Sequence, residues 1–284
     1  DSLSIPIKYS LKVGSAQIKS AILLASLNTN GTTIIEDKFS SRDHTEIMLS
    51  YLGADIIKKK NTIFLNSPTF LKPKDISVPG DFSSAAFIVV ATLITKNSRV
   101  ILKNIGLNPL RTGLLEVLKK MNAKIIIEKK KIINGEVVGD IIVSSSELIS
   151  TKVESSIAPK LIDEFPILFV AACFAKGRSV FKGLQELKFK ESDRLSTMAE
   201  ALRNSGVNVK TTDNSMEING ANSQRGGCFI STKNDHRIAM SMLIFGLASD
   251  KDVLIDDPSM IKTSFPNFKN ILNKINAKIE NVQK

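Results

Sequence analysis

Three short runs bring carboxylates and cations together at spacings that could move protons on a negatively charged molecule: Lys190-Glu191-Ser192-Asp193-Arg194, Asp163-Glu164 and Asp235-His236-Arg237. Glu191 and Arg194, three residues apart, share one helix face. A lysine beside a carboxylate, among further cations, is the material of acid–base work on an anion. An exposed salt bridge at a helix start explains the first run equally well; the three runs together favour a site. A fourth run, Arg42-Asp43-His44-Thr45-Glu46, sets an arginine beside a capping-box-like Asp43 and Glu46. Local structure accounts for Asp43 and Glu46, and for Ser264-Phe265-Pro266 as a helix start with proline in its first turn. It does not account for Arg42, Arg194 and Arg237, because a cation near a helix N-terminus opposes the macrodipole unless an anion compensates it.

These residues need elements to hold them, and the chain supplies four apolar, helix-length runs that each open on a polar cluster. The openings are Gly14-Ser15-Ala16-Gln17-Ile18-Lys19, Pro79-Gly80-Asp81-Phe82-Ser83-Ser84, Leu161-Ile162-Asp163-Glu164-Phe165-Pro166 and Lys233-Asn234-Asp235-His236-Arg237. Unpaired N–H groups and a partial positive charge make such starts able to hold phosphates or carboxylates. Each run leads through a short turn into a β-branched strand, matched at Ile34, Val100, Val180 and Val253, which are 66, 80 and 73 residues apart. A second helix in each unit ends alike, with Gly53, Asn122, Gly206 and Asn276 at C′, where a left-handed residue closes a helix. The spacing predicts four copies of a βαβαββ-like unit and an α/β fold.

Composition narrows the partners. With 284 residues, 43% of them hydrophobic, the chain can bury a large core. Its 39 Lys and Arg against 28 Asp and Glu leave a formal charge of +11, which favours anionic partners in general. Lys58-Lys59-Lys60 and Lys129-Lys130-Lys131 stand at turn positions and read as solvated charge. No Trp and two Tyr leave few stacking platforms, so nucleic acid is not the expected partner. The two cysteines form no disulfide framework, and His44 and His236 show no metal-ligand spacing with them, so no metal is expected. No apolar run reaches membrane-spanning length, and no membrane partner is expected. The chain starts at Asp1 rather than Met, which suggests a processed or partial sequence.

Seven motifs in order resemble those of the 5-enolpyruvylshikimate-3-phosphate synthases. They are Ser15-Ala16-Gln17 with Lys19, Arg42 to Glu46, Pro79 to Ala86, Leu161 to Glu164, Lys190 to Arg194, Asp235 to Met240 and Lys262-Thr263-Ser264-Phe265-Pro266. The resemblance implies a two-lobed inside-out α/β barrel of six such units, of which about four are here. Residues 1–77 would belong to one lobe, on the shikimate 3-phosphate side, and 78–284 to the other, on the phosphoenolpyruvate side. It implies enolpyruvyl transfer from phosphoenolpyruvate to the 5-hydroxyl of shikimate 3-phosphate with release of phosphate, without cofactor or metal. By this resemblance Ser15, Ala16, Gln17 and Arg42 bind shikimate 3-phosphate, with Lys190 contributing. Asp163 holds the reacting hydroxyl and is the candidate base. Arg194, Arg237 and Lys262 clamp phosphoenolpyruvate, and Glu191 moves the proton at its methylene carbon; Asp163, Glu191 and Lys190 are thus the catalytic candidates.

The resemblance has a gap. A catalytic lysine in a Gly-Asp-Lys-Ser motif and a Gly-Asn-Ala-Gly-Thr segment, both of the family's N-terminal part, are absent from this sequence. The chain by itself is therefore expected to be inactive, the complete protein to be a monomer, and its location to be cytoplasmic, with a plastid left open by the missing N-terminus. A phosphate-binding remnant without turnover is the alternative. An RNA-terminal phosphate cyclase is a rival whose nucleotide-linked histidine motif is not apparent.

Overall fold

The computed structural model describes residues 5–282. The first unit runs β1 (Lys8–Ser10), α1 (Ala16–Ser26), β2 (Gly31–Glu36), α2 (His44–Tyr51), β3 (Asp55–Lys59) and β4 (Thr62–Ser67). β1 pairs parallel with β2, while β4 lies antiparallel between β2 and β3, giving the order β1-β2-β4-β3. The second unit holds α3 (Phe82–Ile94), β5 (Arg99–Gly106), α4 (Gly113–Lys120), β6 (Lys124–Ile133) and β7 (Glu136–Ser144). Its sheet is β5-β7-β6, and a parallel bridge from Gly80 to Ile105 stands in for a first strand.

The third unit, with β8 (Lys152–Val153), α5 (Phe165–Cys173), β9 (Gly177–Lys182), α6 (Arg194–Asn204), β10 (Asn208–Thr211) and β11 (Ser215–Gly220), repeats the full order as β8-β9-β11-β10. The fourth has the parallel pair β12 (Phe229–Ile230) and β13 (Leu254–Ile255) flanking α7 (His236–Gly246), then α8 (Ile261–Ser264) and α9 (Phe268–Lys274). No antiparallel hairpin follows that pair among the described residues. The four predicted C′ residues all take positive φ, from 67° at Asn122 to 94° at Gly53.

Three of the four first helices are apolar on every side, and this decides where they lie. All nine residues of α5 and eleven of the thirteen in α3 are buried. A helix without a polar face fits only inside a bundle, so α3, α5 and α7 pack on one another and the sheets lie outside them. This is an inside-out α/β arrangement. Phe165, Phe169 and Phe181 meet in its centre, each burial contributing about 2 kcal/mol. α1, their counterpart in the first unit, buries only Lys19, Leu23 and Ser26. A separate apolar cluster that includes Leu23, Ile35, Leu49, Ile63 and Leu65 serves that unit.

Both ends of α5 are pinned. Pro166 sits in its first turn, where a missing N–H costs nothing. At the far end Gln224 Nε2 donates to the Cys173 carbonyl (2.6 Å). Gly220 approaches so closely that a Cβ there would stand 2.1 Å from the Ala175 oxygen and 2.2 Å from that of Ala172. Only glycine permits that contact.

Two local expectations fail. Pro266 lies in the turn between α8 and α9, ahead of Asn267 and outside the first turn of α9. A proline drives the residue before it out of the helical region, and Phe265, at φ −138° and ψ 74°, ends α8. Asp43 precedes α2 but its side chain caps no N–H. Lys58 (3.3 Å) and Asn108 (2.9 Å) engage it instead, while Glu46 turns inward to Lys19 (2.7 Å). Charged partners in low dielectric outweigh a solvated cap. No helix among the described residues is long and apolar enough to cross a membrane.

Candidate active site

The bundle brings three helix starts to one place. Asp81 caps α3 through the N–H groups of Ser83 (3.1 Å) and Ser84 (2.8 Å), and Asp235 caps α7 through that of Arg237 (2.9 Å). Glu164 occupies the same position on α5 and caps nothing. Its buried carboxylate instead accepts Ser83 Oγ (2.6 Å) and Arg111 Nη1 (2.6 Å) and lies 3.6 Å from Arg237 Nη1. Arg237 Nη1 also donates to Ser83 Oγ (2.7 Å) and to the Asp163 carbonyl (3.0 Å). The starts of α3, α5 and α7 are thereby stitched by side chains.

Arg194 opens α6 and is fully buried. Its Nε donates to Asp235 Oδ2 (2.8 Å), and its Nη2 donates to Glu191 Oε2 (2.5 Å). Ser192 Oγ also donates to Asp235 (3.0 Å). The anions that the helix-start arginines require are thus the protein's own carboxylates. Burial pushes the Asp235 pKa up, but Arg194, the Arg237 N–H and Ser192 together hold it below the usual carboxylate range.

Among the described residues the Asp163 carboxylate is surrounded by cations and hydrogen-bonded to none. Arg42 Nη2 and Arg111 Nη2 stand 3.8 Å from its Oδ2, and Lys190 Nζ and Arg194 Nη1 stand 3.8 Å from its Oδ1. All four separations exceed hydrogen-bonding distance. The carboxylate is charge-balanced, while its lone pairs stay open to a donor from outside. Burial pushes its pKa up, but Arg237, Arg111, Lys190 and Arg42 outweigh that and hold it at about 2. Its side chain is 15% exposed, and those of Lys190, Arg42 and Glu191 reach further towards water. Burial and the nearby Arg111 lower the Arg42 pKa, whereas Glu164 and Asp163 raise that of Arg111 against its burial.

Of the residues singled out in the sequence, Arg42, Asp163, Lys190, Glu191, Arg194 and Arg237 converge here. Ser15, Ala16 and Gln17 form the start of α1, where Ser15 Oγ accepts the Ile18 N–H (3.3 Å). They are tied to the Arg42 segment through Ser20 with Thr45 (2.6 Å) and Lys19 Nζ with the Ser41 carbonyl (3.1 Å). Lys262 is exposed on α8, which packs against α7, and is not among the cations within 4 Å of Asp163. Among the described residues no group of three or more His, Cys, Asp or Glu could hold a metal.

Arg111, and the grip of Glu164 on it and on Ser83, escaped the sequence reading. A signal for Arg111 existed: Arg42 and Arg111 each lie eleven residues before the C′ residue of their helix, Gly53 and Asn122.

Comparison with known proteins places this geometry. A profile of EPSP synthase (3-phosphoshikimate 1-carboxyvinyltransferase) matches residues 4–272. A 3-phosphoshikimate 1-carboxyvinyltransferase from Petrotoga mobilis is 45% identical over 273 residues, covering 96% of this chain and 63% of the relative. One from Sphingopyxis alaskensis is 47% identical over 276 residues, covering 95% and 62%. This chain therefore spans just under two thirds of the length of the curated relatives it matches. EPSP synthase from Acinetobacter baumannii superposes with a TM-score of 0.92 at 39% identity, over 99% of this chain and 65% of that one. The enolpyruvyl transferase NikO from Streptomyces tendae shares the fold, with a TM-score of 0.73 at 18% identity over 91% of this chain and 58% of that one. With a family match over nearly its whole length and a carboxylate caged by helix-start cations at its centre, the chain belongs to the EPSP synthase family.

Proposed function

We propose that this chain carries the acid–base and anion-binding groups for transfer of the enolpyruvyl unit of phosphoenolpyruvate to the 5-hydroxyl of shikimate 3-phosphate, with release of phosphate. The observation that carries this is Asp163, a carboxylate with cations at 3.8 Å on both oxygens and, among the described residues, no side-chain hydrogen bond. Such a group accepts a hydroxyl proton without first losing a partner. At a pKa of about 2 it is a weak base at rest. Arg42, Lys190 and Arg237 hold it there, and they are the groups assigned to the substrates' phosphates and carboxylate. When those anions draw the cations to themselves, Asp163 loses its stabilisation and gains basicity at the moment the hydroxyl arrives.

Attack of the 5-oxygen on the central carbon of phosphoenolpyruvate, with a proton added at the methylene carbon, gives a tetrahedral ketal. Loss of phosphate, with removal of that proton, gives the product. Glu191, half exposed and bonded to Arg194, moves the methylene proton. Arg194, Arg237 and Lys262 hold phosphoenolpyruvate as charge shifts to the departing phosphate. Ser15, Ala16, Gln17 and Arg42 hold shikimate 3-phosphate. Residues 1–77 form its side of the site and 78–284 the phosphoenolpyruvate side. The reading has the complete protein acting as a cytoplasmic monomer on small anions, which suits a surface with no Trp and two Tyr.

Phosphate release tests it, measured with both substrates for the chain together with the part of the Petrotoga mobilis relative that it does not span. Release above background that Asp163→Ala abolishes is the expected result. Release that survives Asp163→Ala overturns the assignment.

A further inference from the structure

Arg42 and Arg111 reach the same oxygen of Asp163 from elements with separate apolar cores. One residue joins the loops that carry them. Asn108, 3% exposed, ends the stretch after β5. Its backbone carbonyl accepts the N–H groups of Arg111 (2.9 Å) and Thr112 (3.1 Å) and the Thr112 hydroxyl (3.1 Å), which shapes the turn bearing Arg111. Its Oδ1 accepts the Leu110 N–H (2.9 Å), and this fixes the amide so that Nδ2 faces outward. Nδ2 then donates to Asp43 Oδ1 (2.9 Å), with Glu136 Oε2 further off at 3.4 Å. Asp43 is the neighbour of Arg42 in the chain, and Lys58 holds its other oxygen.

A bond between the neighbour of Arg42 and the residue that shapes the turn bearing Arg111 sets the distance between the two arginines. We infer that Asn108 is a positioning residue, which through its bond to Asp43 holds Arg42 and Arg111 together against Asp163. A hydrogen bond from a buried amide to a carboxylate is charge-assisted and directional, as alignment of two packed bodies requires.

The inference rests on the proposed function only for its ligand, so the test has a limb with ligand and a limb without. With shikimate 3-phosphate titrated calorimetrically into the full chain, Asn108→Ala weakens binding about tenfold, the order for one lost charged hydrogen bond. Added to Arg42→Ala, it costs little more, because both act through the same guanidinium; full additivity overturns the inference. Asn108→Asp, which sets a carboxylate against both Asp43 and Glu136, binds weakest, and combining it with Asp43→Asn restores a bond of reversed direction to residue 43 and recovers part of the affinity, the repulsion from Glu136 remaining. Without ligand, the 13C carboxyl resonance of Asp163 at pH 7 moves in Asn108→Ala in the same direction as in Arg42→Ala. It stays still in Asn66→Ala, which removes a like bond to Asp55 on the first sheet. An Asp163 resonance unmoved by Asn108→Ala overturns the inference whether or not shikimate 3-phosphate binds. A wild-type chain that fails to bind while the resonance moves as expected counts against the proposed function alone.

Discussion

Two buried ionic clusters in this chain are made of the same parts and do different work. In the first unit, Lys19 is wholly enclosed and meets Asp37 (3.1 Å), Glu46 (2.7 Å) and the Ser41 carbonyl (3.1 Å). Asp37 also accepts the Ser41 N–H (3.0 Å) and hydroxyl (2.6 Å), so the loop from β2 to α2 closes on the lysine. At the bundle start, Arg194 is equally enclosed and meets Asp235, but the cluster continues outward from it, on one side past Asp163 to Lys190 and on the other directly to Glu191, whose side chain is 52% exposed. The difference is a gradient of access. Where every charge is buried and directly paired the cluster fastens a loop; where the paired interior leads to unbonded, wetter groups it can receive a ligand.

The largest expected effect falls on the closed cluster. Lys19→Met leaves Asp37 and Glu46 facing each other in a dry interior and lowers stability by about 3–5 kcal/mol in urea unfolding. Lys190→Met, at the open cluster, shifts the same midpoint by less than about 1 kcal/mol. Equal losses would erase the distinction. The next effect is in acid. Asp163 has its folded pKa near 2, below its ordinary 3.8. Its contribution is present above the ordinary value and disappears as pH falls through about 2. Asp163→Asn is thus less stable than the wild type by roughly 2 kcal/mol at pH 5, and the gap closes towards pH 2. A constant gap in pH-dependent denaturant titrations refutes that sign. Arg194→Lys keeps the charge but loses the fork that spans Asp235 and Glu191, and costs about 1–2 kcal/mol by thermal unfolding. Smallest is Glu191→Gln, within about 0.5 kcal/mol, because Glu191 is itself half exposed and the amide oxygen still accepts from Arg194.

Much of this plan was legible because it rests on local rules. Gly53, Asn122, Gly206 and Asn276 announced themselves, since few residues accept a positive φ. The cations at helix starts were visible because they break the macrodipole rule, and a broken local rule marks a place where tertiary structure compensates. What compensates was not visible. Glu164, next to Asp163, gave no sign that it would join Arg111 and Ser83, residues far away in sequence. Asp43 and Glu46 matched a capping box, and that local reading failed because partners from other elements, Asn108 and Lys19, reached them first. Spacing alone cannot tell a solvated carboxylate from one facing a buried lysine.

The close approach of Gly220 to the end of α5 has a consequence at the other end of that helix. That helix is a strut about 13 Å long, with Asp163 and Glu164 mounted on one tip and the glycine seated under the other. A methyl group added at 220 has no soft side chain to displace, only carbonyl oxygens, so the rod itself must slide or tilt. Lesions at this remote footing should accordingly carry a signature of their own: a caged aspartate knocked out of alignment while every residue around it keeps its identity.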